Sequence, residues 1–160
     1  MSEDRFLEAV LAMRTKLYHV AMAILWNEQD AADAVQEAML KGWKRRGSLR
    51  DEEAFGVWFT RILVNQCRDM QRRQIRNRRM MEALKAEEPP ELPPDAALLA
   101  AVHALPDDLR LPLLLYYFDG YSQKEVAGIL GETAERVKRR VRRARELLRK
   151  ELDEGGGANG

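Results

Sequence analysis

The stretch Ser122-Gln123-Lys124-Glu125-Val126-Ala127-Gly128-Ile129-Leu130-Gly131-Glu132-Thr133, continued by Val137-Lys138-Arg139-Arg140-Val141-Arg142-Arg143-Ala144-Arg145, decides how the chain is read. Ser122 and Glu125 stand three apart before an apolar run. That is the spacing of a capping box, in which the two side chains satisfy orphan backbone donors reciprocally. Val126, Ile129 and Leu130 give the helix an apolar side, and Gly131 stands where a left-handed C′ residue ends it. Thr133 caps a second helix with Val137, Val141, Ala144 and Leu148 as its inner stripe. Helices over 122–130 and 133–152, joined by a short turn containing glycine, make a helix-turn-helix, whose second helix enters a major groove.

The outward positions of that second helix are Arg136, Lys138, Arg139, Arg140, Arg142, Arg143 and Arg145. Residues 136–150 hold nine cations and one acid, whereas a merely solvated helix mixes its signs. Guanidinium groups bond guanine bidentately, and any of these cations neutralises phosphate, so the face points to nucleic acid. A solvated or protein-binding face is the alternative for the same residues.

Working outward, Pro106-Asp107 starts a helix with Leu109, Leu113, Leu114, Tyr117 and Phe118 on its apolar face. Pro112 implies that regular helix begins only around it, and a short helical patch over 96–105 precedes it. Residues 82–98 hold four of the six prolines and no aromatic residue, which predicts an extended linker and a domain boundary. Nearer the N-terminus, Phe6, Val10, Met13, Leu17, Val20 and Ile24 step by three and four, an amphipathic helix capped by Ser2. After a polar break at 27–30, Asp30 is expected to cap a second helix with Ala34, Val35, Ala38, Met39 and Trp43 inward. Residues 45–51 read as a loop. A third helix starts near Asp51, carries Phe55, Trp58, Phe59, Ile62 and Leu63 inward, and runs into the late seventies. No alternating run of strand-forming residues reaches useful length.

The expected fold is all-α, with two small helical domains. An N-terminal helical bundle (1–81) and a C-terminal helix-turn-helix domain (99–152) flank a Pro/Glu-rich linker (82–98), and a flexible tail follows (153–160).

The net charge of +1 conceals blocks of opposite sign. Besides residues 136–150, a second basic block comprises Arg61, Arg68, Arg72, Arg73, Arg76, Arg78 and Arg79, partly along one helix face after Phe55, Trp58 and Phe59. Cations beside aromatics suit single-stranded nucleic acid, although rings at this spacing also fit a core. A single cysteine, Cys67, forms no internal disulfide, and the start Met1-Ser2-Glu3-Asp4 is acidic where a signal peptide is basic. No apolar run approaches the ~20 residues that span a bilayer. The expected setting is the cytoplasm, without membrane insertion. His19 and His103 lack metal-ligand spacing, Cys67 has no neighbouring base, and Asp107-Asp108 reads as a helix start. No catalytic residue, metal or cofactor is expected.

These blocks together resemble a bacterial sigma factor of the extracytoplasmic-function (ECF) group, a sigma-70 branch that keeps regions 2 and 4. Asp30-x-x-Asp33-x-x-Gln36-Glu37 followed by Trp43, Phe55-x-x-Trp58-Phe59-x-x-Ile62 and Asn65-x-x-x-Asp69-x-x-Arg72-Arg73 are similar to region 2. Leu105-Pro106, Leu113-Leu114-Leu115, Tyr117-Phe118-Asp119-Gly120-Tyr121-Ser122, Glu125-Val126-Ala127, Leu130-Gly131 and Val137-Lys138, then Arg143-Ala144-Arg145, are similar to region 4. The resemblance spans about residues 5–152 in order. It departs from the family at Met39, usually aromatic, at Glu135-Arg136, usually Gly-Thr, and at Arg139, often serine.

The resemblance implies a transcription initiation factor that binds core RNA polymerase and directs it to promoters. Asp33, Gln36 and Glu37 would dock on the coiled coil of the β′ subunit, and region 4 on the β flap. Arg61, Asn65, Arg68, Arg72 and Arg73 would engage and melt the −10 element. Lys138, Arg139, Arg142 and Arg143 would read the −35 element, with Arg136 and Arg140 on phosphate. The family also implies an anti-sigma partner and a monomer when free. A free-standing helix-turn-helix regulator is the competing reading. It accounts for residues 105–152 but leaves Asp33, Gln36, Glu37 and the second basic block idle.

Overall fold

The computed structural model describes the backbone of residues 1–80 and 97–158 and the side chains of residues 1–76 and 100–153. The chain divides into two compact units, Met1–Pro89 and Pro90–Gly160. Helix is the regular structure of both, and no strand occurs among the described residues.

The N-terminal unit packs three helices: α1 (Glu3–Leu25), α2 (Glu28–Arg45) and α3 (Phe55–Met80). Ser2 caps α1, its side chain accepting from the Arg5 N–H at 3.3 Å, with Glu3 and Asp4 in the first turn where carboxylates offset the helix dipole. Phe6, Val10, Leu17 and Val20 of the expected stripe are buried, while Met13 and Ile24 are half-buried at its edges. The helix ends at Trp26, held in the left-handed region at φ 56 with its N–H bonded to Met22 O.

The cap of α2 differs from expectation. Asn27, not Asp30, is the N-cap, and its Oδ1 accepts from the Asp30 N–H at 2.9 Å. Asp30 lies inside the first turn, and its carboxylate accepts instead from Gln74 Nε2 of α3 at 2.5 Å. Either residue type caps well, and the one that begins a turn earlier lets Ala31 become the first buried residue of the helix. The buried face is Ala31, Ala34, Ala38 and Gly42. Val35, Met39 and Trp43 are only half-buried, because these small residues let α2 approach its neighbours closely. The expected loop is shorter: α2 runs to Arg45, a 3-10 turn covers Arg46–Ser48, and another, Glu52–Ala54, leads into α3.

Phe6 is the hub of the core, edge-on to Trp43, Phe55 and Phe59 at centroid distances of 5.5, 5.8 and 6.0 Å. Phe55 and Phe59 are buried and Trp58 is half-buried, so two of the three rings weighed as nucleic-acid contacts are core.

The C-terminal unit holds α4 (Ala97–Ala104), α5 (Asp107–Leu113), α6 (Gln123–Leu130) and α7 (Ala134–Ala158). The expected linker falls largely on residues 81–96, outside the described residues; Ala97 and Leu98, expected in the linker, begin α4. Helix α5 starts at Asp107, five residues before Pro112, which is buried inside it. A proline there removes one hydrogen bond, to the carbonyl of an exposed residue, Asp108, and the chain continues into a π-helical turn, Leu114–Phe118. The Asp119 N–H reaches Leu114 O at 3.1 Å, and the wider turn leaves Tyr117 and Phe118 exposed instead of on the apolar face.

Ser122 and Glu125 form the capping box, at 3.1 and 2.9 Å. Gly131 takes φ 68, and Thr133 Oγ1 accepts from the Arg136 N–H at 3.2 Å. Val137, Val141 and Ala144 are buried and Leu148 is half-buried. Helix α7 continues through Gly155–Gly157 to Ala158, where a tail was expected from Asp153. Each residue added to a long helix gains one hydrogen bond, which carries the helix past residues of poor intrinsic propensity.

Candidate nucleic-acid interface

The free cationic surface of the C-terminal unit is the outer side of α7. Its inner side is fixed by Val137, Val141 and Ala144, so at 100° per residue the opposite arc carries Arg139, Arg142 and Arg143, with Arg136 and Lys138 at its two edges. All five side chains are exposed. Arg143 lies 3.7 Å from Glu146 in an exposed pair, which solvent screens and which contributes little. Arg145 lies over the exposed Tyr117 ring at 5.5 Å.

Arg140 behaves differently from the other residues expected to meet DNA. It borders the buried stripe, and a terminal nitrogen of its guanidinium donates to both carboxylate oxygens of Glu132 in the turn. Sequence periodicity placed Arg140 with the outward cations. The signal that could have separated it is its position, one residue before Val141 and three after Val137.

In the N-terminal unit, Arg61, Asn65, Arg68, Arg72 and Arg76 recur along α3 at steps of four, three, four and four, one stripe along a helix. Arg61, Asn65, Arg72 and Arg76 are exposed and Arg68 half-exposed, while Leu63, Val64 and Cys67 are buried on the other side. Arg73 is exposed beside the stripe, and Arg72 pairs with Asp69 at 2.5 Å. The side chains of Arg78 and Arg79 lie outside the described residues. Where α2 ends, the Arg46 guanidinium stacks over the Trp43 ring at 3.8 Å and bonds Trp43 O at 2.8 Å, a contact with no signature in the sequence pattern.

Asp33, Gln36 and Glu37 are all exposed on α2, with Leu40 beside them. Gln36 also borders a groove between α1 and α2 that is lined by Leu11, Tyr18, Val35 and Met39. The structure thus presents a polar-apolar ridge on α2, a cationic stripe on α3 and a cationic helix face on α7.

Residues 9–77 match sigma-70 region 2, and residues 95–148 match sigma-70 region 4. The SigV RNA polymerase sigma factor of Bacillus subtilis is 32% identical over 139 residues, covering 84% of this chain and 83% of its own. The ECF sigma-E factor of Escherichia coli is 31% identical over 137 residues, with coverages of 74% and 72%. The chain belongs to the ECF group of sigma-70 factors.

Sigma factors are transcription initiation factors that act with RNA polymerase on promoter DNA. The Xanthomonas campestris relative RfaY is 33% identical over 89% of this sigma factor, which spans 39% of that longer protein. Two solved structures share the fold. The sigma factor RpoE of Bartonella quintana, in complex with the anti-sigma factor NepR, matches with a TM-score of 0.83 at 24% identity over 92% of this chain and 96% of its own. CnrH, in complex with the cytosolic domain of CnrY, matches at 0.69 with 26% identity over 93% and 88%. No described helix is long and apolar enough to cross a membrane.

Proposed function

We propose that this ECF sigma factor docks on core RNA polymerase through Asp33, Gln36 and Glu37 of α2, melts the −10 element with α3 and reads the −35 element with α7. The observation that carries the reading is the pairing of two separate cationic helix faces with an exposed polar ridge that has no role in either unit's core. Asp33, Gln36 and Glu37 would meet the β′ coiled coil, and the C-terminal unit the β flap. Arg61, Asn65, Arg68, Arg72 and Arg73 would follow the non-template strand of the −10 element, where neighbouring cations track phosphates of single-stranded DNA. Lys138, Arg139, Arg142 and Arg143 would meet base edges of the −35 element, and Arg136 a phosphate.

RNA synthesis then belongs to the polymerase, and this chain supplies no catalytic residue, metal or cofactor. Regulation by an anti-sigma factor in the cytoplasm fits the structure of the similarly folded RpoE with the anti-sigma factor NepR. Run-off transcription with core polymerase on a library of genomic fragments tests the reading. Initiation at a small set of sites sharing two spaced elements, only when this protein is added, is the expected result. Binding to a DNA site with no requirement for core polymerase would favour the free-standing regulator.

A further inference from the structure

Glu132 and Arg140 form a pair unlike the other charged contacts of the C-terminal unit. Glu132 sits in the turn between α6 and α7, and its backbone N–H donates to Ala127 O at 2.9 Å, which ties it to the end of α6. Its side chain points the other way, and both carboxylate oxygens accept from one nitrogen of Arg140. Arg140 stands two turns into α7, and its side chain leans back toward the helix N-terminus, as helical side chains do. The exposures of the two side chains are 27% for Arg140 and 18% for Glu132, against 62% for each partner of the Arg143–Glu146 pair. A half-buried pair is screened much less than an exposed one, and removing one partner leaves the other charge poorly solvated. One residue is therefore held by its backbone to the first helix and by its side chain to the second. Gly131 in the left-handed conformation and the Thr133 cap fix the turn on either side.

We propose that the Glu132–Arg140 pair braces α7 against α6, so that Arg140 positions the DNA-reading face without touching DNA. The inference rests on the reading of α7 as the −35 reader. Arg139 and Arg142 lie on the outward arc of the same helix, so a change in the angle or register of α7 is felt directly by the groups that would meet base edges. The paired carboxylate offsets the charge of the guanidinium and ties one of its nitrogens to the turn, which weakens its attraction to a phosphate.

The test uses holoenzyme assembled from core polymerase and the full chain, on a promoter selected by the wild-type protein and on the same DNA with its −35 element scrambled. Two quantities are read: the ratio of the two affinities and the slope of log affinity against log salt. Glu132→Gln and Arg140→Gln should each lower the ratio about tenfold, within the usual coupling of contacting residues. The double variant should be no worse than either, and the swap Glu132→Arg/Arg140→Glu should restore most of the ratio. Arg140→Gln should leave the salt slope unchanged. A slope reduced by about 0.9, the signature of one lost phosphate contact, would overturn the inference, as would additive losses without rescue by the swap. Equal falls on both DNAs, accompanied by a lower melting temperature, would reduce the pair to a folding contact and also overturn it. Arg139→Ala and Arg142→Ala distinguish failure of the underlying reading: if neither alters the ratio, α7 is not the −35 reader and the brace has nothing to position.

Discussion

A Cβ built on Gly42 would lie 2.7 Å from Phe59 Cε2, 3.0 Å from Cδ2 and 3.3 Å from Phe6 Cζ, inside the aromatic core where α2 crosses α1 and α3. Alanine is favoured over glycine in a helix by roughly 1 kcal/mol, but overpacking a filled core costs roughly 1–3 kcal/mol. Phe59 is fully buried and stacks on Phe55 at 5.5 Å, so its ring has little room to turn. Gly42→Ala should therefore lower stability by about 1 kcal/mol net, read as a reduced urea midpoint, and an unchanged midpoint would show that the rings yield. Cys67 is buried in the same unit, and burial pushes its thiol up to about 12. Since the thiolate is the reactive species, native protein at pH 8 should resist alkylation at Cys67 and react on addition of denaturant. Rapid modification of the folded chain would contradict that burial. In the C-terminal unit, burial and then the nearby Arg110 guanidinium lower the His103 pKa from its usual 6.5 to about 4. The folded pKa is the lower one, so the unfolded chain takes up its proton first as pH falls. Stability fully present above about 6.5 is then lost progressively toward 4. Denaturation at pH 7 and 5.5 should show this loss, and His103→Gln should flatten it.

Helix α6 owes both of its ends to single residues at defined offsets. Ser122→Ala removes the acceptor for the Glu125 N–H at 3.1 Å and should cost about 1 kcal/mol, seen in thermal melts. Glu125→Ala breaks the reciprocal half, a 2.9 Å bond from the backbone N–H of Ser122, which Ser122→Ala leaves in place, so the double substitution should cost more than Ser122→Ala alone. Local signals of this kind made much of the fold legible. The capping box, Gly131, the Thr133 cap and the Ser2 cap occur where sequence spacing puts them, because each depends on atoms within a few residues. The errors arose where two local rules competed or where a partner lay far along the chain. Asn27 and Asp30 are both good caps, and the preference is decided by which arrangement buries Ala31 and frees Asp30 for Gln74, 44 residues away. Pro112 as a helix breaker is a sound local expectation, yet burial among Leu109, Leu111 and Leu113 outweighs one missing hydrogen bond. The wider turn that follows exposes Tyr117 and Phe118, which a uniform 3.6-residue period placed inward. The same limit applies to the candidate site. The inward stripe of α7 is readable, and with it the outward face, but Arg140 falls at the boundary between them, where a helical period does not decide the side. Its partner Glu132 lies eight residues back in a turn, outside any helical period.

At the scale of the whole chain, near-neutral net charge coexists with concentrated positive fields on two separate helices, and it is the local fields that act on a polyanion. The two faces belong to different units and have different surroundings, which makes their contributions separable. The α7 face is a short, dense array on a helix suited to a duplex groove, so Arg139→Ala and Arg142→Ala should each cost about 1–3 kcal/mol if they meet base edges, with the loss confined to promoters bearing the preferred −35 element. The α3 stripe is longer and sparser, interrupted by Asn65 and by Asp69 paired to Arg72. That arrangement suits a strand whose bases are already unstacked. Asn65→Ala and Arg68→Ala should thus leave −35 discrimination intact and reduce strand opening, measured as permanganate reactivity of thymines in the −10 region at saturating holoenzyme. Saturation matters, because it separates a melting defect from weaker binding. If both sets of variants instead lowered affinity by the same factor on every sequence, with reactivity per bound complex unchanged, both faces would be acting as generic phosphate contacts. Promoter choice would then have to come from elsewhere in the chain, and the Arg46–Trp43 stack at the end of α2 would be the first place to look for an unpaired base.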